Sequence, residues 1–156
     1  MKKLLILFFI ISFFATSAFS ETELERGKYL TLIGGCNDCH TSGFAPSQGK
    51  VPESEWLKGD SVGYKGPWGT SYPINLRKLV SSISKEQWIT FMRNSKARPP
   101  MPTHITSVMP EGDLSAIYTF IKSLGEGGEN APAPLPPGAE PTTPYINFAP
   151  VIPGKK

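Results

Sequence analysis

The chain has two cysteines, Cys36 and Cys39, and a histidine directly follows the second, so that "GGCNDCHTSG" reads C-x-x-C-H through His40. Two thiols and an imidazole at this spacing could hold zinc, exchange electrons as a dithiol, close a short disulfide or anchor a porphyrin. A zinc site needs a fourth ligand, and His104 is the only other histidine. A redox C-x-x-C normally follows a strand in a βαβ unit, whereas a helical pattern precedes Cys36. A disulfide between residues three apart closes almost no loop and stabilises little. The spacing is that of c-type haem attachment. The thiols of Cys36 and Cys39 would add across two porphyrin vinyl groups as thioethers, which holds His40 under the iron as an axial ligand.

Three helical patterns separated by irregular chain must position such a group. Glu21 to Ile33 reads as a helix with acids in its first turn and Leu24, Tyr29, Leu30 and Ile33 sharing one face. Gly34 and Gly35 end it. Thr41 to Leu79 is rich in Gly, Pro and Ser and has no sustained period, so it is expected to be mostly loop. So long a loop needs something to pack against, which a large cofactor would supply. Ser84 opens a second helix, with Gln87 at capping-box spacing and Trp88, Phe91 and Met92 as an apolar stripe ending near Asn94. After the loop "ARPPMPTHITSVMP", a third helix runs from Glu111 to Leu124, with Leu114, Ile117, Tyr118 and Ile121 on its buried face and Gly125 as its stop. From Gly127 onward the chain holds too much proline for a helix or a central strand. Tyr145, Ile146 and Phe148 give that segment the means to dock as a strap. The division expected is a signal peptide at 1–20, a haem domain at 21–126 and a Pro-rich strap or tail at 127–156.

Over roughly Glu23 to Leu124 this order of helix, C-x-x-C-H, loops, methionine-bearing Pro-rich segment and final helix resembles a monohaem class I c-type cytochrome. "GPWGTSYPINL" and "PPMPTHITSVMPEGDLSAIYTFIKSL" resemble, more narrowly, the cytochromes that serve bacterial periplasmic or membrane-bound dehydrogenases. The resemblance implies an all-α fold in which the first and last helices cross over one covalent haem c, Gly27 on one facing Tyr118 on the other. It also implies a methionine as second axial ligand, about a dozen residues before the acidic-apolar start of the last helix and often followed by proline. Met101-Pro102 fits, twelve residues before Asp113. Met109 is the runner-up, although it abuts the helix start, where a methionine also packs onto the first turn. His104 is a third candidate, read most simply as an exposed loop residue. Thioether ligation would favour ferrous iron and raise the potential.

Trp56, Trp68, Tyr72 and Trp88 are aromatic candidates for the porphyrin wall. Trp68 is the foremost of them, because a buried indole N–H wants an acceptor. Asn75 and Arg77 could hold propionates. For each of these residues ordinary packing is an equal reading.

Lys2 and Lys3, the apolar run Leu4 to Phe14, and Ala18 and Ser20 form a signal peptide cut after Ser20, which predicts a periplasmic or otherwise exported protein. Membrane association is expected only if this segment is retained. Its removal leaves 14 Lys plus Arg against 13 Asp plus Glu, a net charge of +1. Lys50 to Arg98 nonetheless carries nine basic residues against four acids, a face that could steer an acidic redox partner. No Arg-rich array with interleaved aromatics argues for nucleic acid. With one haem motif and no second catalytic constellation, the sequence points to a one-electron carrier between a dehydrogenase and a cytochrome or oxidase. The alternatives are a fixed cytochrome subunit of a dehydrogenase complex and a haem enzyme or gas sensor with an open iron.

Overall fold

The computed structural model describes Glu21–Pro150 together with Pro153 and Gly154, and the expected signal peptide lies outside the described residues. Helix α1 (Glu23–Ile33) starts at Thr22, whose hydroxyl accepts from the Glu25 backbone N–H while the Glu25 carboxylate accepts from that of Thr22. Helix α2 (Cys36–His40) is a single turn that follows at once. Four more helices come later: α3 (Leu76–Ser82), α4 (Lys85–Asn94), α5 (Thr103–Thr106) and α6 (Glu111–Ser123). Ser84 and Gln87 cap α4 reciprocally, as their spacing predicts.

The expectation of an all-α fold is overturned by a three-stranded sheet, which makes the architecture mixed. Strand β1 (Gly63–Gly66) pairs antiparallel with β2 (Gly69–Ser71), placing Tyr64 opposite Ser71 and Lys65 opposite Thr70. Strand β3 (Tyr145–Asn147) comes from the Pro-rich segment and lies parallel to β1 at the far edge. Strands of three or four residues are too short to show an alternating pattern. An edge position also tolerates the flanking prolines that a central strand would not. The supposed loop therefore contains β1, β2 and the first turn of α3. It also supplies its own apolar plugs. Phe44 meets Trp56 edge-on at 5.7 Å, Trp56 meets Phe120 at 6.2 Å, and Leu57 is fully buried.

Helices α1 and α6 cross closely. Gly27 sits against the Ala116 carbonyl, and a Cβ there would fall 2.6 Å from the Ala116 carbonyl carbon and 2.8 Å from Phe120 Cβ. The glycine thus faces Ala116 and Phe120 and not Tyr118, whose hydroxyl donates to the Ile83 carbonyl. The buried face of α1 is Gly27, Leu30 and Thr31, while Leu24, Tyr29 and Ile33 are exposed. The small residue, not the apolar periodicity, selects which face can approach α6. Arg26 clasps Asp113 with two hydrogen bonds of 3.0 and 3.2 Å across the same crossing. On α6 the buried set is Leu114, Ala116, Ile117, Phe120 and Ile121. From α4, Trp88 and Met92 complete this core, the Trp88 indole donating to the Leu114 carbonyl, whereas Phe91 of the expected stripe is exposed.

Candidate functional site

The two glycines after α1 do different things. Gly34 turns its N–H back on the Leu30 carbonyl, and Gly35, at φ 67°, donates to the Leu32 carbonyl and opens α2 in the left-handed region that favours glycine. In the single turn that follows, Cys36 and Cys39 are three apart and so project from one side. Both thiols are free and half-buried. Asn37, between them, faces inward: its side-chain oxygen accepts from Thr41 Oγ1 at 2.7 Å, and that hydroxyl accepts from the Leu57 backbone N–H. The motif is thereby pinned to the core from beneath.

His40 is 92 % covered, with 8 % of its surface exposed. Its Nδ1 lies 2.8 Å from the Ile74 carbonyl oxygen. A carbonyl can only accept, so Nδ1 carries the proton and Nε2 keeps its lone pair. This is the arrangement in which a second-layer acceptor fixes tautomer and ring orientation for a metal-binding histidine. Burial holds the imidazolium pKa below its ordinary value and so favours the neutral form that ligates metals, while the hydrogen bond to Ile74 pulls the other way. Gly59 makes the contact reachable: its N–H donates to the His40 carbonyl at 2.8 Å, and a Cβ there would fall 2.8 Å from the Pro73 oxygen. Burial pushes the Cys36 thiol up to about 11. The phenol of Tyr64 is raised too, first by burial and then by the neighbouring Cys39 thiol.

Met101 lies half-buried against the core, between a 3.3 Å hydrogen bond from its N–H to the Arg98 carbonyl and a 2.9 Å bond from Thr103 N–H to its own carbonyl. Met109 is also half-buried, at the threshold of α6. His104 is exposed on α5. The Met101 loop is tied to the His40 side through β2. Ser71 Oγ donates to the Pro99 carbonyl at 2.8 Å, and three residues later Ile74 holds His40. Three residue steps span at most about 11 Å, so the loop that carries Met101 and the backbone that holds His40 are joined by a short strut.

Trp68 is half-buried on the β1–β2 hairpin, its indole N–H directed at the Tyr64 carbonyl at 3.3 Å and its ring 6.3 Å from Phe148. Trp56 and Trp88 belong to the core, and Tyr72 bonds the Thr143 hydroxyl. Asn75 and Arg77 are structural. Asn75 caps α3 and donates to the Gly127 and Glu129 carbonyls, and Arg77 is buried with its guanidinium on the carbonyls of Trp56, Leu124, Glu53 and Ser54. Of the nine basic residues between Lys50 and Arg98, five (Lys58, Lys65, Lys78, Lys85 and Arg93) are ion-paired, which leaves a weaker basic face than the sequence suggests.

The residues fit a covalently held porphyrin. The thiols are free, His40 offers a lone pair from a fixed ring, and apolar side chains beside each element of the site stand exposed: Ile33 before Cys36, Ile74 beside His40, and Ile105 and Val108 beyond Met101. Thr70 Oγ1 and Asn37 Nδ2 are buried without a protein partner, which leaves donors for a bound group or ordered water. Among the described residues no group of three or more His, Cys, Asp or Glu side chains is placed to hold a metal ion by itself. Ile74 and Ser71 were not legible as site residues, the first because it acts through its backbone carbonyl. No family model matches the sequence, and neither a curated protein nor a solved structure matches it.

Proposed function

We propose that the protein is an exported one-electron carrier of the class I cytochrome c type, with one haem c attached through Cys36 and Cys39 and ligated by His40 and Met101. The observation that supports this reading best is the His40 ring. It is the histidine of a C-x-x-C-H motif, it is buried, and its Nδ1 is committed to the Ile74 carbonyl so that Nε2 is the nitrogen left to ligate. When bound, the haem would supply the one-electron Fe(III)/Fe(II) couple. The chain's own part is to hold the ligands still. Ile74 fixes the imidazole plane, Asn37 and Thr41 fix the turn that bears the thiols, and the Ser71–Pro99 bond fixes the loop that bears Met101. Ligands that persist in both oxidation states keep reorganisation small, and a filled sixth site excludes substrates from the metal. Electrons would come from a dehydrogenase and pass to another cytochrome or an oxidase, in keeping with the narrower resemblance of the Trp68 and Met101 segments.

Two measurements on the exported, purified protein test this. Acid–acetone extraction should leave the haem on the polypeptide, and quantitative release would refute covalent attachment. The oxidised protein should show the weak near-infrared band of sulfur-to-iron bonding. Met101→Ala should abolish that band with haem retained, and should open the ferrous iron to carbon monoxide. Loss of the band in Met109→Ala instead would move the ligand to Met109, and a change confined to His104→Ala would make the site bis-histidine.

A further inference from the structure

The Pro-rich C-terminal segment has no part in attaching or ligating a haem, yet it is stitched into the elements that hold the Met101 loop. Leu135 makes a two-way backbone ladder with Thr70 of β2, N–H to carbonyl at 3.1 and 2.9 Å. The same Leu135 carbonyl accepts from Arg98 Nη1 at 2.8 Å, three residues before Met101. The next residue of β2, Ser71, donates its hydroxyl to the Pro99 carbonyl. Gly69 lets the segment lie this close, since a Cβ there would fall 2.7 Å from the Pro136 carbonyl carbon. Farther along, Lys65 grips Glu140 at 2.6 Å, Tyr72 bonds Thr143, and Phe148 packs on Tyr64 at 5.7 Å. The segment thus returns to the sheet at several points, and its first attachment to the sheet falls where β2 meets the methionine loop.

We propose that β2 and the C-terminal segment form a clamp on the loop bearing Met101, with Ser71, Arg98 and Leu135 as positioning residues that keep its sulfur at the axial site. This rests on the reading of Met101 as the sixth ligand. The loop from Ser95 to Pro102 has no regular secondary structure of its own, so side-chain links to neighbouring elements must fix its place. Two of these links are the Ser71 and Arg98 bonds, and both lead to β2, directly or through Leu135. Losing one of them should raise the population of the detached loop roughly fivefold, the worth of one ordinary net hydrogen bond.

The test uses full-length, haem-loaded protein and two readouts: the carbon monoxide association rate of the ferrous form, and the alkaline pH at which the sulfur–iron band is lost. Ser71→Ala, Arg98→Met and Gly69→Ala should each speed carbon monoxide binding roughly fivefold or more and lower that pH, with haem still covalently attached. Ser71→Thr, which keeps the hydroxyl, should restore both readouts, and Ser82→Ala, which removes an exposed hydroxyl bonded to Leu79, should change neither. Wild-type values in Ser71→Ala and Arg98→Met would overturn the clamp, whether or not Gly69→Ala folds. An intact band in wild type with those unchanged readouts separates failure of the clamp from failure of the ligand reading. A wild-type protein that keeps its haem but lacks the band would instead remove Met101 as ligand, and the clamp with it.

Discussion

Replacing Gly27 with alanine should unseat the crossing of α1 with α6, from which the C-x-x-C-H turn of α2 follows directly. A methyl group there would press into the Ala116 carbonyl and come within 2.6 Å of its carbon and 2.8 Å of Phe120 Cβ. Carbon atoms rest about 3.5–4.0 Å apart, so α1 and α6 must separate by about 1 Å. Both close neighbours are backbone or Cβ, which cannot swing aside as the end of a long side chain can. Overpacking of this kind costs about 1–3 kcal/mol, and the upper part of that range applies because the helices themselves have to move. Alanine returns about 1 kcal/mol through its better helix propensity. The net loss expected is about 2 kcal/mol, or roughly 8 °C in Tm for a domain of this size. The assay is thermal unfolding of the purified protein followed by far-ultraviolet circular dichroism. Gly112→Ala is the control: it lies in α6 with nothing within 4 Å of its would-be Cβ, and should be neutral or slightly stabilising. A Gly27→Ala protein as stable as wild type would refute the tight crossing and leave Gly27 an accident of composition.

Arg77→Met keeps an unbranched apolar stem but strips the donors from four backbone carbonyls, and should cost about 3 kcal/mol if the acceptors stay dry. Unchanged thermal unfolding would mean that water replaces the guanidinium. The Glu23 carboxylate is held below its ordinary pKa, first by the Ser115 hydroxyl and then by Lys85. A carboxylate depressed in the folded state contributes stability that is present above its unfolded pKa and is lost as pH falls through the folded value. The Tm should therefore be insensitive to pH near neutrality as far as Glu23 is concerned, where its contribution is fully present, and fall below about pH 4.5, and Glu23→Gln should flatten part of that fall. An identical acid profile in Glu23→Gln would contradict this.

What could be read from the sequence, and what could not, divides by the range of the interaction responsible. Helices α4 and α6 were legible because their caps and apolar periods are written within a dozen neighbouring residues, as Ser84 with Gln87 and Leu114 with Ile117 show. Helix α3 was equally local, with Asn75 as its cap and Leu76, Leu79 and Val80 at helical spacing, but the glycines and prolines before it masked the pattern. The sheet was not legible at all. Strand β3 exists because Tyr145 finds Gly63 some eighty residues earlier, and no window around either residue records that pairing. The exposed face of α1 was misread for a related reason. Leu24, Tyr29 and Ile33 look like a core stripe, but which face turns inward is decided by a partner, and only Gly27 admits α6. The candidate site follows the same division. Cys36, Cys39 and His40 are adjacent, so their chemistry is carried by spacing alone. What orients His40 is the carbonyl of Ile74, thirty-four residues on, and what restrains the Met101 loop is a serine in a strand that the sequence did not announce. The motif is therefore written in adjacent residues, while the contacts that hold its histidine and the Met101 loop in place are long-range and made mostly to backbone.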